Sequence, residues 1–320
     1  MNRIIGVLFP LFVVAAVAFA FSERPDPPMP ETQVEIEHLL MLDTVLVGSR
    51  LVAVGERGHI FISDDHGLQW RGAVSDDAAT LTAVGAVNDE RLVAVGHDSV
   101  ILLSDDGGER WRTVFADPLA EEPLLAVRFD PGGRGYAVGA YGRFLESRDG
   151  GLSWAQRHPD ADDFHFGAIA RAGEALLLAG EAGTLMRSDD GGQRWQALDS
   201  PYAGSFFGLL ELPDGAVLAF GMRGHAYHSV DAGQNWERVE TGTELSIFGG
   251  HVVTDGTLVL AGQNGLVLRG RDLEQGLTPL DLDTSRTFSA VIESGAGDVL
   301  LFGEEGVLQL PNSPITGQGS

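Results

Sequence analysis

Short apolar runs recur along the chain, each bounded by Gly, Asp or Asn, as in LVAVG, LVLAG and VLLFG. Runs of this length between turn residues predict β-strands rather than helices. A glycine ends one such run in every repeat, at Gly55, Gly96, Gly139, Gly180, Gly221, Gly262 and Gly303. The intervals are 41, 43, 41, 41, 41 and 41 residues, the length of a four-stranded propeller blade. The pattern therefore predicts an all-β fold, a seven-bladed β-propeller.

A second repeat, S-x-D-x-G-x-x-W, occurs five times and contains all five tryptophans of the chain. Its members are Ser63, Asp65, Gly67 and Trp70; Ser104, Asp106, Gly108 and Trp111; Ser147, Asp149, Gly151 and Trp154; Ser188, Asp190, Gly192 and Trp195; Ser229, Asp231, Gly233 and Trp236. We expect it at the hairpin between third and fourth strands, where Asp and Ser accept backbone N–H groups, Gly takes a positive φ and Trp wedges between blades. A carboxylate present in five equivalent turns is structural, because catalysis needs its residue once.

The predicted propeller spans residues 32–310, and residues 311–320 are expected to be a disordered tail. The last two repeats lack the tryptophan box, as terminal repeats often do. The seventh has no fourth strand of its own, so the amino end must supply one. Residues 34–37 (VEIE) alternate apolar and acidic side chains and are predicted to be this ring-closing strand.

The amino terminus has the character of an export signal. Residues 4–21 form an uncharged apolar run after a single arginine, and Ala18 and Ala20 offer a cleavage site before Phe21. The run is also long enough to remain as a membrane anchor. Residues 1–21 are thus a signal peptide or an anchor, followed by a proline-rich spacer at 22–31. Either outcome places the remaining chain outside the cytoplasm, and membrane contact would come only from residues 4–21.

Composition excludes several functions. The chain has 46 acidic and 21 basic residues, a net charge of −25, which excludes nucleic acid as a partner because binding requires neutralisation of phosphate. All basic residues are arginine, so Schiff-base chemistry by lysine is absent. The absence of cysteine removes disulfides, thiolate metal sites and cysteine nucleophiles. Neither a metal site nor a cofactor is indicated.

The stretches VGHDSVILLSDDGGERW and AGEAGTLMRSDDGGQRW resemble those of Asp-box or BNR-repeat propellers. With seven repeats and an export signal, the chain is most similar to the photosystem II stability and assembly factor family. This resemblance implies a non-enzymatic scaffold or assembly factor for a membrane or envelope protein complex. In non-photosynthetic bacteria it implies envelope partners, among them RND-type exporters.

Binding residues are expected in the turns between second and third strands, on the face opposite the boxes. Those turns carry a basic and aromatic set: Arg57, His59, Tyr141, Arg143, Arg223 and His225. One interpretation is a docking site for a carboxylate-bearing peptide, since arginine binds carboxylates in bidentate fashion. The other is a set of solvated turn residues that pair with surface acids.

Two further features remain open. Loop 115–123 (FADPLAEEP) contains the two extra residues of the longer interval and is either a binding lip or a tolerated insertion. Six phenylalanines lie near first-strand starts and are predicted to pack around the central channel: Phe164, Phe166, Phe206, Phe207, Phe248 and Phe288.

The alternative function is an extracytoplasmic glycan hydrolase, sialidase-like or other, or a glycan-binding propeller. Tyr141 with Arg57, Arg143 and Arg223 could supply the tyrosine and the three arginines of a sialidase-like site, although the sialidase ring has six blades. An inverting glycosidase would need two acids that flank a sugar. A deep central pocket with an acid pair or an arginine triad would favour this alternative.

Overall fold

The computed structural model describes residues 34–120, 122–159 and 164–310. The expected leader (1–21), spacer (22–31) and tail (311–320) lie outside the described residues. All described strands belong to the compact unit Glu35–Ser320. Among the described residues, no helix is both long enough and apolar enough to cross a bilayer.

The described strands form seven antiparallel sheets in chain order, one sheet per blade. Blade 1 has Met41–Val47, Arg50–Gly55, Ile60–Ser63 and Arg71–Gly72; blade 2 has Leu81–Ala86, Leu92–Gly96, Ile101–Ser104 and Arg110–Phe115, with Val74–Ser75 added in parallel; blade 3 has Leu124–Phe129, Gly135–Gly139, Phe144–Ser147 and Ala155–Arg157; blade 4 has Phe166–Ala172, Ala175–Gly180, Leu185–Ser188 and Gln196–Ala197. Blade 5 has Phe206–Glu211, Val217–Gly221, Ala226–Ser229 and Glu237–Val239; blade 6 has Ile247–Val252, Leu258–Gly262, Val267–Gly270 and Thr278–Pro279; blade 7 has Phe288–Glu293, Val299–Gly303 and Gly306–Leu310. The predicted seven-bladed all-β propeller is confirmed.

The helical elements are single 3₁₀ turns. One precedes blade 1, at Ile36–His38, and six connect second to third strands: Glu56–Gly58, His97–Ser99, Ala140–Gly142, Glu181–Gly183, Met222–Gly224 and Gln263–Gly265. In blade 7 a two-residue hairpin turn replaces the 3₁₀ turn.

The repeating glycine at the end of each second strand allows close backbone contact. A Cβ at Gly55 would collide with the carbonyl oxygen of Leu40, and the other six repeat glycines face the equivalent carbonyl. The Leu40 carbonyl oxygen accepts a hydrogen bond from the N–H of Glu56, the residue after Gly55, at 3.0 Å. The start of each first strand is thereby tied to its own second strand, which accounts for the strict spacing of this glycine.

The core lies between blades. Second strands such as Leu92–Gly96 and Val217–Gly221 are buried at every residue, because a neighbouring blade covers each face of the sheet. This burial on both faces explains why the second strands appear in sequence as continuous apolar runs. Fourth strands such as Arg71–Gly72 and Gln196–Ala197 are exposed at the rim.

The tryptophan box folds as predicted. In blade 2 the Ser104 Oγ donates to Asp106 Oδ1 at 2.8 Å and accepts the Gly108 N–H at 2.9 Å. Asp106 Oδ1 also accepts the Arg110 N–H at 2.9 Å, and Gly108 has a φ of 92°. The same serine and aspartate bonds recur in the other four boxes. In blade 4, the Arg194 backbone N–H holds the pKa of Asp190 below its usual range.

Each box packs against the preceding blade. A Cβ at Gly108 would lie 3.1 Å from Val52 Cγ2 of blade 1, and Trp111 is 3% exposed within the apolar cluster shared by blades 1 and 2. Trp70 meets Phe302 of blade 7 edge to face at 5.7 Å. Trp111 and Trp70 therefore lie between adjacent blades.

Arginines that the sequence analysis did not single out also join blades. Arg50 Nη1 donates to the Gly107 carbonyl of the next blade at 3.0 Å, while its Nε donates to Asp64 of its own blade at 2.6 Å. Arg91 bonds Asp105 at 2.5 Å and reaches the Gly150 carbonyl at 3.5 Å. Arg50 and Arg91 each lie five residues before the repeat glycine, and this shared position is the sequence pattern that could have indicated a common structural role.

Residues 34–37 do not form the predicted ring-closing strand. Ile36–His38 form a 3₁₀ turn, and blade 7 has three strands within the described residues. The Gly306 N–H of blade 7 donates to the Leu39 carbonyl at 2.8 Å, and the turn's apolar side is buried in the cluster between blades 7 and 1. Residues 34–37 correspond in the 41-residue repeat to the loop that enters a blade, here blade 1. Their alternation of apolar and acidic residues arises because Ile36 is buried at the junction of blades 7 and 1 while its acidic neighbours face solvent.

Replacement of Ser104 by Ala should lower the free energy of unfolding by about 1–3 kcal/mol, because the buried Gly108 N–H loses its acceptor. Urea unfolding at neutral pH measures this change. The exposed Ser49→Ala is the control, expected to stay within about 0.5 kcal/mol of the parent. Equal effects of the two substitutions would show that the box hydrogen bonds contribute nothing to stability.

Candidate functional site

Two faces of the propeller carry different loops. Each second-to-third-strand turn contacts the loop that enters the next blade: the Gly142 N–H donates to Phe164 O at 2.9 Å, and the Gly265 N–H to Arg286 O at 2.7 Å. We call this the turn face. The boxes occupy the opposite ends of the third strands, and we call that the box face.

One residue in each turn has a left-handed backbone and an exposed side chain. The seven are Arg57, Asp98, Tyr141, Ala182, Arg223, Asn264 and Glu305, with φ between 52° and 57°. This conformation costs a non-glycine residue about 1–2 kcal/mol, and the surrounding backbone holds it in every blade. The repeat therefore presents seven side chains on the turn face from equivalent positions.

Arg57 and Arg223 are the cations of this ring. The Arg57 side chain is 80% exposed, and its Nε lies 4.0 Å from Glu56 Oε2. Arg223 is exposed and makes no ion pair with any residue that the structure describes. Both guanidinium groups are thus exposed on the turn face, which agrees with either interpretation of the sequence, a docking site or solvated turn residues. His59 lies beside the Phe61 ring at 6.1 Å between centroids.

Arg143 lies inside the protein, in contrast to its predicted place in an exposed cluster. Its side chain is 5% exposed, and it forms ion pairs with Asp117 at 2.9 Å and Glu122 at 3.0 Å. It also donates to Gln156 Oε1 at 3.1 Å. The turn sequence could not show this burial, because the two acids come from the preceding loop.

Those two acids belong to loop 115–123, which Arg143 holds in place. The Asp117 N–H also donates to Asp98 O, in the turn of blade 2, at 3.1 Å. Leu119, between the two ion-paired positions, is 95% exposed. Asp117 and Glu122 are therefore anchored by Arg143 while Leu119 faces solvent, an arrangement that fits either a binding lip or a tolerated insertion.

Aromatic side chains lie beside the cations on the turn face. Tyr141 is 58% exposed and meets the His165 ring edge to face at 4.7 Å. His225 stacks on Tyr202 with centroids 4.0 Å apart and an angle of 12°. The turn sequences give no sign of His165 or Tyr202, because these residues lie in the loops that enter blades 4 and 5.

The phenylalanines divide into three groups. Phe166, Phe206 and Phe288 are at most 1% exposed, but they are buried in the apolar clusters between blades rather than around the central channel as predicted. The ring centroids of Phe207 and Phe248 lie 5.4 Å apart. Both rings line a central cavity of about 260 Å³, whose wall includes residues from all seven first strands. Phe164 remains 37% exposed on the turn face.

Asp43 is the one ionisable side chain among the described residues that line this central cavity. It accepts the Thr44 N–H at 2.8 Å and the Val84 N–H of blade 2 at 2.9 Å. Burial raises the pKa of Asp43 to about 6, although both hydrogen bonds oppose the shift. The cavity thus offers one carboxyl group, not the pair that glycoside hydrolysis requires.

The described residues do not form the sialidase-like site, and no metal site is found among them. Arg57 and Arg223 are on different blades and Arg143 is buried, so no arginine triad forms around Tyr141. His225 stacks on Tyr202, whereas His228 faces the junction of blades 5 and 6. Within residues 34–310, as far as described, no group of three or more His, Asp and Glu could hold a metal ion.

Comparisons with known proteins agree with this architecture. The family described as photosynthesis system II assembly factor YCF48 matches residues 117–259. A solved structure titled "YCF48 bound to D1 peptide" is 17% identical with a TM-score of 0.70, covering 86% of this chain and 94% of the other. YCF48 from Cyanidioschyzon merolae is 15% identical with a TM-score of 0.69, covering 88% and 96%. The WD40 propeller of Doa1 is 16% identical with a TM-score of 0.68, covering 85% and 92%. No curated protein matches the sequence.

Arg143→Met should release loop 115–123 and destabilise the fold by up to about 3 kcal/mol, since two partly buried acids lose their cation. Limited proteolysis and urea unfolding report the two effects. The matched Arg57→Met removes the same charge from an exposed position and should leave both readouts unchanged. Similar behaviour of the two variants would contradict the anchoring role.

Asp43→Asn should become progressively more stable relative to the parent as pH rises from 4 to 6. The unfolded carboxyl loses its proton near 3.8 and the folded one near 6, so the parent loses stability across that window. The difference is at most about 3 kcal/mol and should be constant above pH 7. Urea unfolding of both proteins at several pH values measures it, and a pH-independent difference would exclude a raised pKa.

Proposed function

We propose, from the premise that the chain is a YCF48-like BNR-repeat propeller, that it is an exported, non-enzymatic scaffold that binds a peptide segment of an envelope or membrane protein. The observation that carries this proposal is the turn face. On a protein with a net charge of −25, Arg57 and Arg223 are exposed there and largely free of internal partners. One exposed cation with only a long contact to Glu56 and one without an ion pair among the described residues favour an external carboxylate ligand.

The surroundings of the two arginines suit a peptide rather than a lone anion. Tyr141 with His165, and Tyr202 with His225, provide rings for stacking or for contact with apolar side chains. Phe207 and Phe248 line the central cavity, which could accept one apolar side chain. The ligand class is therefore an extended segment with carboxylates and at least one apolar or aromatic residue.

Two electrostatic effects act on such a partner. The overall negative charge attracts a partner with a basic surface and accelerates the encounter. The local arginines then select an acidic segment within that partner. A protein with basic regions and an acidic loop or terminus satisfies both.

The relatives support peptide binding and an assembly role. One structure that shares this fold is titled as YCF48 with a bound D1 peptide, and the matching family is named as an assembly factor. We extend this to an envelope or membrane complex because residues 4–21 have the character of an export signal or anchor. An RND-type exporter is one such partner. The absence of a second carboxyl group among the described residues that line the central cavity supports a role without catalysis.

The double variant Arg57→Glu, Arg223→Glu should lose its partner while it retains the fold, because both side chains are exposed. Cross-linked affinity capture from native membranes, followed by mass spectrometry, measures this. The matched control is Arg110→Glu, Arg194→Glu, which makes the same charge change at exposed box-face positions and should retain the partner.

Capture of one membrane or envelope protein by the parent and the control, but not by the turn-face variant, supports the proposal. Equal capture by all three proteins would move the site away from the turn face. Retention of glycan fragments without any protein partner would instead support the carbohydrate alternative.

A further inference from the structure

Blade 6 lacks the tryptophan box, and the structure has a cavity where the box would pack. By the 41-residue offset, Gly270, Glu274 and Leu277 stand where blade 5 has the box serine, glycine and tryptophan. Leu277, at the tryptophan position, is 6% exposed in the apolar cluster between blades 5 and 6, and the residues that replace the box loop, such as Leu273 and Glu274, line a cavity. This cavity, of about 670 Å³, lies between blades 5 and 6 on the box face.

The hydrogen bonds that Arg187 makes between blades 4 and 5 have no counterpart from His228 between blades 5 and 6, among the described residues. Between blades 4 and 5, Arg187 Nη1 donates to the carbonyls of Asp231 at 3.3 Å and Ala232 at 2.7 Å. His228 occupies the same repeat position between blades 5 and 6. Its Nε2 is buried and has no hydrogen-bond partner among the described residues, and the ring lines the cavity. A buried ring nitrogen without a partner is costly unless a ligand or water satisfies it.

Carboxylates give the cavity a negative character. Glu237 is the cross-strand neighbour of His228, so both continue the sheet face that packs against blade 6. Glu237 and Glu274 line the cavity, and neither side chain forms a hydrogen bond or ion pair with any residue described. The cation of the lining, Arg271, is paired with Asp255. Unneutralised negative charge therefore remains.

Asp214 and Asp272 also line the cavity, and most of the other lining residues are apolar. Leu212, Leu258 and Leu273 contribute to the lining, and Val230, also in the lining, is 75% exposed. Small-molecule sites commonly enclose about 300–1,000 Å³ with mostly apolar walls and a few polar groups. The cavity combines this size with carboxylates and one unsatisfied imidazole nitrogen.

We propose that the cavity between blades 5 and 6 binds a small organic cation with an apolar body, of the arylalkyl-ammonium type. The ammonium group is held by Glu237 and Glu274, while the apolar body contacts the leucines. This site is on the face opposite Arg57 and Arg223, so its test does not depend on whether the peptide-binding proposal is correct.

The test uses phenethylammonium as the probe, with 2-phenylethanol and 3-phenylpropionate as neutral and anionic analogues. Methyl NMR of Val230 and isothermal calorimetry at pH 7 report binding. We expect phenethylammonium to bind at least fivefold more tightly than 2-phenylethanol, with no binding of 3-phenylpropionate.

Two substitutions locate the site. Glu237→Gln should weaken phenethylammonium binding about fivefold, equivalent to one partly exposed charge pair, and Val230→Trp in a separate variant should block the cavity, with binding followed by calorimetry. Glu244→Gln is the control: an exposed carboxylate before the first strand of blade 6, with no described partner, whose loss should leave affinity unchanged.

No binding of phenethylammonium, equal binding of the alcohol, or equal weakening by Glu237→Gln and Glu244→Gln would each overturn the proposal. The Arg57→Glu, Arg223→Glu variant should bind the probe as the parent does. The two proposals can therefore fail separately.

Discussion

Every blade depends on its neighbours for burial, and this constraint organises the molecule. Both faces of a second strand are apolar, so a single blade would leave one or both faces in water. The core consists of apolar clusters between adjacent blades rather than one central cluster. The box joins these clusters, because its glycine lets the turn approach the preceding blade and its tryptophan fills the gap. Arg50 and Arg91 add hydrogen bonds across the same junctions.

The same repetition separates residues that hold the fold from residues that are displayed. Backbone geometry at the seven turn positions is nearly identical, with φ near 55°, yet the side chains differ from blade to blade. A scaffold of this kind can change its ligand by substitution at those positions without any change in packing. Arg143 marks the limit of this freedom, because the neighbouring insertion buries it. Arg143 lies two residues after Tyr141, and its guanidinium pairs with Asp117 and Glu122 of that insertion.

Departures from the repeat create the individual features of the protein. Two extra residues before blade 3 give a loop pinned by ion pairs with an exposed Leu119. Loss of the box in blade 6 leaves the cavity beside His228. Blade 7 has three strands among the described residues, and the amino-terminal turn Ile36–His38 lies at the ring junction beside it. Many of the acids are also part of this architecture, since the box aspartates accept backbone N–H groups and have lowered pKa values.

Periodicity in the sequence was sufficient to predict the fold class, the number of blades, the strand order and the role of the box, because each follows from a local pattern repeated at a fixed interval. It also located the turns that expose Arg57 and Arg223. It was wrong about residues 34–37, since alternation of apolar and acidic residues is the same for a half-buried strand and for a turn packed at a junction. Only the tertiary structure decided that Arg143 is buried, that Tyr202 stacks on His225 and that Asp43 bridges two blades. Those contacts join residues about 20 to 40 positions apart, whose distance is determined by how blades and their connecting loops pack rather than by any local pattern.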